Sequence, residues 1–400
     1  METLATRPTA VNADAVAFCP YPSREHLVAC GCYELDSTSD PPTRSGSLVL
    51  YSTSGPNGLD EVCKLDDVGV LDCTWLPQSA VAAVGKEYLA VATSDCSAEL
   101  YCLKRQSTDD AEPPIVTEFV REDAMPCADA GHACMGLAWS AAASEPQLAL
   151  SGTTGRAFLG QLSPGGLQLV NAWQAHDLEC WAVAFGGAAD PATLFTGGDD
   201  ATLKRWDLRT AHGGSAAGDG SDSADPDAAD DGAAPPVATA MNRRSHAAGV
   251  CCIAPCPSTP HLLATGSYDE RARLWDARML RAPLVEHECG GGVWRLKWHP
   301  ERRDVLLAAC MHAGFAVLRV PGLEQPPADA ESTAPSDLSS LALETAARYE
   351  AHGLGAGGLG YGADWAHRPA DELPSDKYVG ATASFYDRQM HLWSYSSRGS

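Results

Sequence analysis

Two stretches carry the clearest pattern of apolar and polar positions. Leu194–Arg209 reads LFTGGDDATLKRWDLR, and Leu263–Arg278 reads LATGSYDERARLWDAR. Each is a short apolar run, a polar turn, then an alternating run that closes on Trp-Asp. Alternation at period two predicts strands lying half-buried on a sheet, and the polar break predicts a tight turn between them. The offset from turn Asp to strand aromatic repeats: Asp200 stands six residues before Trp206, Asp269 before Trp275, Asp387 before Trp393 and Asp95 before Tyr101. Weaker copies fill the gaps. Leu150–Gln161 has Gly155 at the Asp position, Leu307–Leu318 has His312 there, and Leu27–Tyr51 is interrupted by an insert.

Every copy follows an apolar run of its own: AVAF at 15–18, LDCTW at 71–75, MGLAW at 135–139, WAVAF at 181–185, VCCIA at 250–254, VWRLKW at 293–298 and YGADW at 361–365. Seven copies of about forty residues, two of them ending in Trp-Asp, match the WD repeat, in which each copy makes a four-stranded blade. The expected fold is therefore all-β, a seven-bladed WD40 β-propeller with disordered loop insertions, one domain over 1–400. Blades are expected at about 14–53, 62–105, 132–163, 173–209, 246–278, 287–320 and 349–396, the N-terminus supplying the last strand so that no edge stays free. The inserts 107–130, 211–243 and 321–345 are rich in Ala, Gly, Pro, Ser and Asp, lack apolar periodicity, and read as disordered surface loops. Within a WD blade the His, turn Asp and Trp hydrogen-bond to one another, because a buried indole N–H and a buried carboxylate each need a partner. His176, Asp200 and Trp206, then His246, Asp269 and Trp275, and finally Asp387 and Trp393 are read as such structural sets.

Composition narrows the function classes. Apolar residues make up 45% and charged residues 20%, a globular balance. The formal net charge of −24 argues against nucleic acid or an anionic membrane as partner, although part of it belongs to the acidic run Asp219–Asp231. The fifteen cysteines sit mostly in apolar runs and form no Cys-x-x-Cys pair, so they read as small buried hydrophobes. No Gly-x-Ser-x-Gly elbow and no His-Glu-x-x-His cluster occurs, which leaves no motif for a metal or cofactor. The glycine runs at 353–362 and 290–292 do not follow the strand-to-helix pattern of a phosphate loop. Met1–Asn12 lacks the regions of a signal peptide, and no apolar run reaches spanning length, so a soluble cytoplasmic monomer is expected.

Several segments go beyond a general WD repeat: AHDLECW at 175–181, TGGDD at 196–200, ATGSYDE at 264–270, GGGVWRLKWHP at 290–300, AACMHAG at 308–314, YGADW at 361–365 and ATASFYDRQMHLW at 381–393. They resemble the diphthine methylesterase family, also called the diphthine methyltransferase family, from the first blade to the last. The most specific pair is GGVWRLKWHP followed by LLAACMHAGF, where His312 replaces the usual turn Asp. The resemblance implies hydrolysis of the methyl ester of methylated diphthine on elongation factor 2, giving diphthine and methanol, with the protein substrate as partner and no cofactor.

That substrate carries a trimethylammonium group, which aromatic faces and nearby carboxylates hold well. Residues just before the turn Asp face the channel mouth in WD propellers; here they are Ser94, Thr154, Asp199, Tyr268, Met311 and Tyr386. Tyr268, Met311 and Tyr386, with Trp181, Trp294, Gly291 and Gly292, are the expected substrate-binding residues. His312 is the candidate base, oriented by Asp199, Glu179 or Asp364, with backbone N–H groups at Gly290–Gly292 receiving the oxyanion. Alternatively, His312 simply replaces Asp in its blade. A rival reading is a non-catalytic adaptor: WDLR at 206–209 and WDAR at 275–278 resemble the motif of WD receptors for a cullin-4 ubiquitin ligase adaptor.

Overall fold

Apolar runs of four to six residues, each closed by turn residues, are too short for helices and pair instead into sheets. In the computed structural model, all residues are described except 39–42, 56–57, 67, 107–114, 128–131, 212–233, 324–337, 354–357, 368–376 and 398–400. The described residues form seven four-stranded antiparallel sheets. Their inner strands are Ala13–Phe18, Val70–Trp75, Cys134–Trp139, Cys180–Phe185, Val250–Pro255, Arg295–Trp298 and Gly360–Trp365, which begin blades 1 to 7 in chain order. Each inner strand touches that of the next blade and the seventh touches the first, so the ring closes around a central axis.

Closure uses both ends of the chain. Glu2–Pro8 pairs antiparallel with Gln389–Ser396, Thr6 opposite His391, and becomes the outer strand of blade 7. Among the described residues no helix is long and apolar enough to cross a membrane.

The outer strands differ from the expected loops. Ile115–Pro126, Val237–Asn242 and Glu344–Tyr349 are the fourth strands of blades 2, 4 and 6; the first two fall within the segments 107–130 and 211–243, and the third begins where 321–345 ends. Strands at a blade's edge bury little: Val237–Asn242 buries only Asn242, so apolar alternation does not mark it. Asp60–Asp66 likewise completes blade 1, not blade 2. The parts of the inserts at 107–114, 212–233 and 324–337, the acidic run included, lie outside the described residues.

The core lies between neighbouring blades. Leu263 and Trp275 of blade 5, for example, pack with Phe195 and Leu203 of blade 4. Inside blade 4, His176 donates from Nδ1 to Asp200 (2.9 Å), while the Thr196 hydroxyl bonds His176 Nε2 (2.8 Å) and accepts from Trp206 Nε1 (2.9 Å). Burial alone raises the Asp200 carboxyl, yet its hydrogen bonds from His176 and two backbone amides hold it at about 2. Blade 7 repeats the set with His352, Asp387, Thr382 and Trp393. Blade 5 keeps His246–Thr265–Trp275, but Asp269 turns away from His246 to Arg273 (2.8 Å), and His246 Nδ1 has no partner. The expected His246–Asp269 bond is thus replaced by an ion pair, because a guanidinium four residues on reaches the carboxylate first.

Thr196 is the hub of its set. Thr196→Val keeps the shape and leaves one indole N–H and one imidazole nitrogen buried without partners, at a cost of about 2–4 kcal/mol. Urea unfolding should show a lower midpoint with an unchanged slope; an unchanged midpoint would mean that the network contributes no net stability.

Candidate active site

The inner strands carry a feature with a common place in nearly every blade. A β-bulge interrupts the pairing of the first strand at Asp14, Leu71, Met135, Trp181, Cys251 and Tyr361. Trp294, directly before the inner strand of blade 6, occupies the same position. An unpaired bulge residue re-aims its side chain, and here the bulge side chains meet over the axis. Trp181 of blade 4 and Trp294 of blade 6 are 5.5 Å apart between ring centroids, although a whole blade separates them. Trp294 also stacks on Tyr361 (4.7 Å) and lies 6.0 Å from Tyr268, which itself meets Trp181 at 6.0 Å. Phe385 continues the wall from Tyr361 to Tyr33 and Tyr386.

Carboxylates edge this wall. Trp181 Nε1 donates to Asp199 (3.2 Å), and Trp294 Nε1 donates to Asp14 (3.2 Å). Below them, Arg295 of blade 6 reaches across the channel to Asp72 of blade 2 at 2.5 Å. Asp14 is 2% exposed. Burial, opposed by the Arg295 guanidinium and reinforced by Asp72, lifts its carboxyl to about 7. A cavity of about 590 Å³ runs from Trp181 and Trp294 past Arg295 and Asp72 toward Trp139, Phe185 and Trp298.

The rim residues read from the sequence take three kinds of place. Asp199, Tyr268, Trp181 and Trp294 come together as one group. Met311 is buried beside them in the left-handed region (φ 45°) and accepts from the Gly360 amide (3.0 Å), a strained turn held by the neighbouring blade. Glycine is required at 291, where a Cβ would stand 2.2 Å from the Cys310 carbonyl oxygen, while one on Gly292 would press on the Met311 side chain, 2.7 Å from Sδ. Among the described residues neither amide N–H of this buried pair donates to a backbone carbonyl. Tyr386 is 61% exposed, with its ring 5.0 Å from that of Phe385 at the end of the wall.

The proposed catalytic set does not assemble. His312 is exposed, and no hydrogen bond or ion pair among the described residues joins it to Asp199, Glu179 or Asp364. Nor does it rebuild a blade set, since Ala308 and Leu318 replace the Thr and Trp it would need. Asp364 accepts from the Phe18 amide (2.8 Å) and ties blade 7 to blade 1. Glu179 is half-buried, and its carbonyl accepts from the Asp199 amide. Arg209 and Arg278, of the two WD-x-Arg segments, each fold back in a two-pronged pair onto Asp207 and Asp276. No cluster of His, Cys, Asp or Glu suited to a metal ion occurs among the described residues.

Sequence reasoning passed over Asp14, Tyr33, Arg295, Tyr361 and Phe385. The signal was present: with the seven inner strands set in register, one column reads Asp14, Leu71, Met135, Trp181, Cys251, Trp294, Tyr361, and aspartate is out of place in an apolar strand.

Fold and site together define a WD-repeat β-propeller with an aromatic, carboxylate-edged mouth on its axis. The model of the WD domain, G-beta repeat, matches residues 239–276, which join the outer strand of blade 4 to three strands of blade 5. A chain of the mitotic checkpoint complex crystal structure superposes with a TM-score of 0.62 at 14% identity, covering 99% of this chain and 92% of that one, a likeness of fold alone. The human diphthine methyltransferase is 32% identical over 79% of this chain and 67% of its own length. The mouse protein of that name is 34% identical over 78% of this chain and 61% of its own, and that of fission yeast is 27% identical over 92% and 91%. The chain belongs to the diphthine methyltransferase family, and it spans about two thirds or less of the mammalian relatives' length.

Proposed function

We propose that this protein hydrolyses the methyl ester of methylated diphthine on elongation factor 2, releasing methanol. The observation that carries the reading is the wall of Trp181, Tyr268, Trp294 and Tyr361 with Asp199 at its edge. Aromatic faces beside a carboxylate suit a trimethylammonium group, which cannot donate hydrogen bonds and is held by ring quadrupoles and charge. Met311 contributes a polarisable side chain to the same surface. The amides of Gly291 and Gly292, which donate to no backbone carbonyl among the described residues, receive the oxyanion that forms on the ester carbonyl. The relatives' name supports diphthine as the substrate.

The test is to incubate the purified chain with elongation factor 2 carrying methylated diphthine and to follow the modified peptide by mass spectrometry, with methanol assayed in parallel. Catalytic loss of the ester methyl is expected. Tyr268→Ala should raise KM about tenfold, as one desolvated cation–π contact is lost. Tyr386→Ala should change it less, because that ring stands at the edge. Tight binding without turnover by a folded chain would replace this reading with an adaptor role.

A further inference from the structure

We propose that Asp14 is the general base of this site, a carboxylate set on the channel axis to activate the attacking water. The inference rests on the ester-hydrolase reading above.

Three observations converge on it. The bulge in blade 1 places a carboxylate in the column where the other blades place Leu, Met, Cys, Trp or Tyr. Its Oδ1 is fixed by Trp294, the ring at the centre of the aromatic wall, while Oδ2 has no hydrogen-bond partner among the described residues. A buried carboxylate with one oxygen held and the other free is oriented but not neutralised. Among the described residues the other buried carboxylates are consumed by structure, Asp304 by Arg302 and Arg319 and Glu99 by Arg121, and the half-buried Asp72 is held by Arg295.

The charged and titratable groups facing Asp14 are Arg295, Asp72, Tyr33, Tyr268, Tyr361 and Cys30. Burial raises the three tyrosines, and the Cys32 thiol followed by burial raises Cys30, so they stay neutral near pH 7. The balance of burial against Arg295 puts Asp14 at about 7, where a base combines availability with driving force. A cation seated on the aromatic wall favours the carboxylate further. The substrate's own trimethylammonium thereby ionises the base that acts on it.

The step balances. Asp14 takes a proton from water as the water oxygen bonds to the ester carbonyl carbon, and the carbonyl electron pair moves onto its oxygen. The tetrahedral intermediate re-forms the carbonyl and breaks the bond to the methoxy oxygen. That oxygen takes the proton back from Asp14 and leaves as methanol; the acid product releases its own proton to solvent.

The experiment compares the intact chain, Asp14→Asn and His312→Ala on elongation factor 2 carrying methylated diphthine, measuring kcat, KM and their pH dependence from 5.5 to 9. The intact chain should lose kcat/KM below about pH 7, with the corresponding limb of kcat at lower pH. Asp14→Asn should lower kcat by about 10²–10⁴-fold, leave KM within a few-fold and abolish the limb; His312→Ala should keep both rate and limb. Loss of the limb in His312→Ala, or an Asp14→Asn chain within tenfold of the parent, overturns the proposal. If Asp14→Asn does not fold, the pH profile of the intact chain still decides, since a flat profile across this range is incompatible with Asp14 as base. Absence of methanol from the intact chain defeats the ester-hydrolase reading itself, whereas an Asp14→Asn chain that turns over within tenfold of the parent defeats only the base.

Discussion

Trp294→Ala is expected to lower kcat/KM for ester hydrolysis by about 10²–10³-fold, more than any other change in the wall. Trp294 does two things at once. Its ring joins Trp181, Tyr268 and Tyr361 into one surface, and its N–H fixes Asp14. A desolvated cation–π contact is worth about 2 kcal/mol, and a hydrogen bond to a charged group about 1.5–3 kcal/mol. The two losses are coupled through one side chain, so the lower half of their sum is the safer figure. Trp294→Phe separates them. It keeps an aromatic face, so KM should stay within a few-fold, but it removes the donor, so the acid limb of kcat/KM should move to higher pH. Steady-state kinetics of both variants across pH check this. A Trp294→Ala chain that matches the parent in kcat/KM would remove the aromatic mouth as the substrate site.

Much of the fold was legible from the chain because buried strands must alternate and buried indoles must be paired. Trp206, Trp275 and Trp393, each six residues after an Asp, located three blades. The seven apolar runs before the repeats are the seven inner strands. The outer strands were hidden because an edge strand that faces solvent has no apolar face to declare: VATAMN at 237–242 resembles a loop. The site was half legible. Trp181, Trp294, Tyr268 and Asp199 follow from turn and strand positions, and they do meet. Arg295 to Asp72 joins blades 2 and 6, a pairing that no local pattern encodes. The choice of Asp269 between His246 and Arg273 is likewise a matter of reach in three dimensions. His312 drew notice because it broke a pattern, yet a broken structural pattern marks a blade that has shed its hydrogen-bonded set as readily as it marks chemistry.

Acidification should unfold this protein in a window set by three buried imidazoles, and Asp14 should oppose them. Burial first, then Arg273, holds His246 at about 4; burial, then Arg302 and His367, does the same for His299; burial, then the stacked His352, does so for His391. An unfolded histidine titrates near 6.5. Below that pH the unfolded chain takes up protons that the folded chain refuses, so the stability from neutral burial is whole above about 6.5 and is lost as pH falls toward 4. Each imidazole accounts for at most about 3 kcal/mol, against a total of about 5–15. Asp14 has the opposite sign: its folded carboxyl titrates at about 7, above the unfolded value near 3.9, so its cost is greatest above 7 and fades as pH falls toward 4. Three groups outweigh one, and melting temperature should fall steadily between pH 6.5 and 4.5. Asp14→Asn removes the opposing contribution. It should melt above the parent at pH 8, converge with it only near pH 4, and so lose stability more steeply with acid. Thermal melts of both chains across pH decide the matter. Equal melting temperatures at pH 8 would mean that the ionised Asp14 costs the fold nothing, and the carboxylate on the axis would then be held by more partners than Trp294 and Arg295. A higher melting temperature with lower turnover would identify a residue kept for chemistry at the expense of stability.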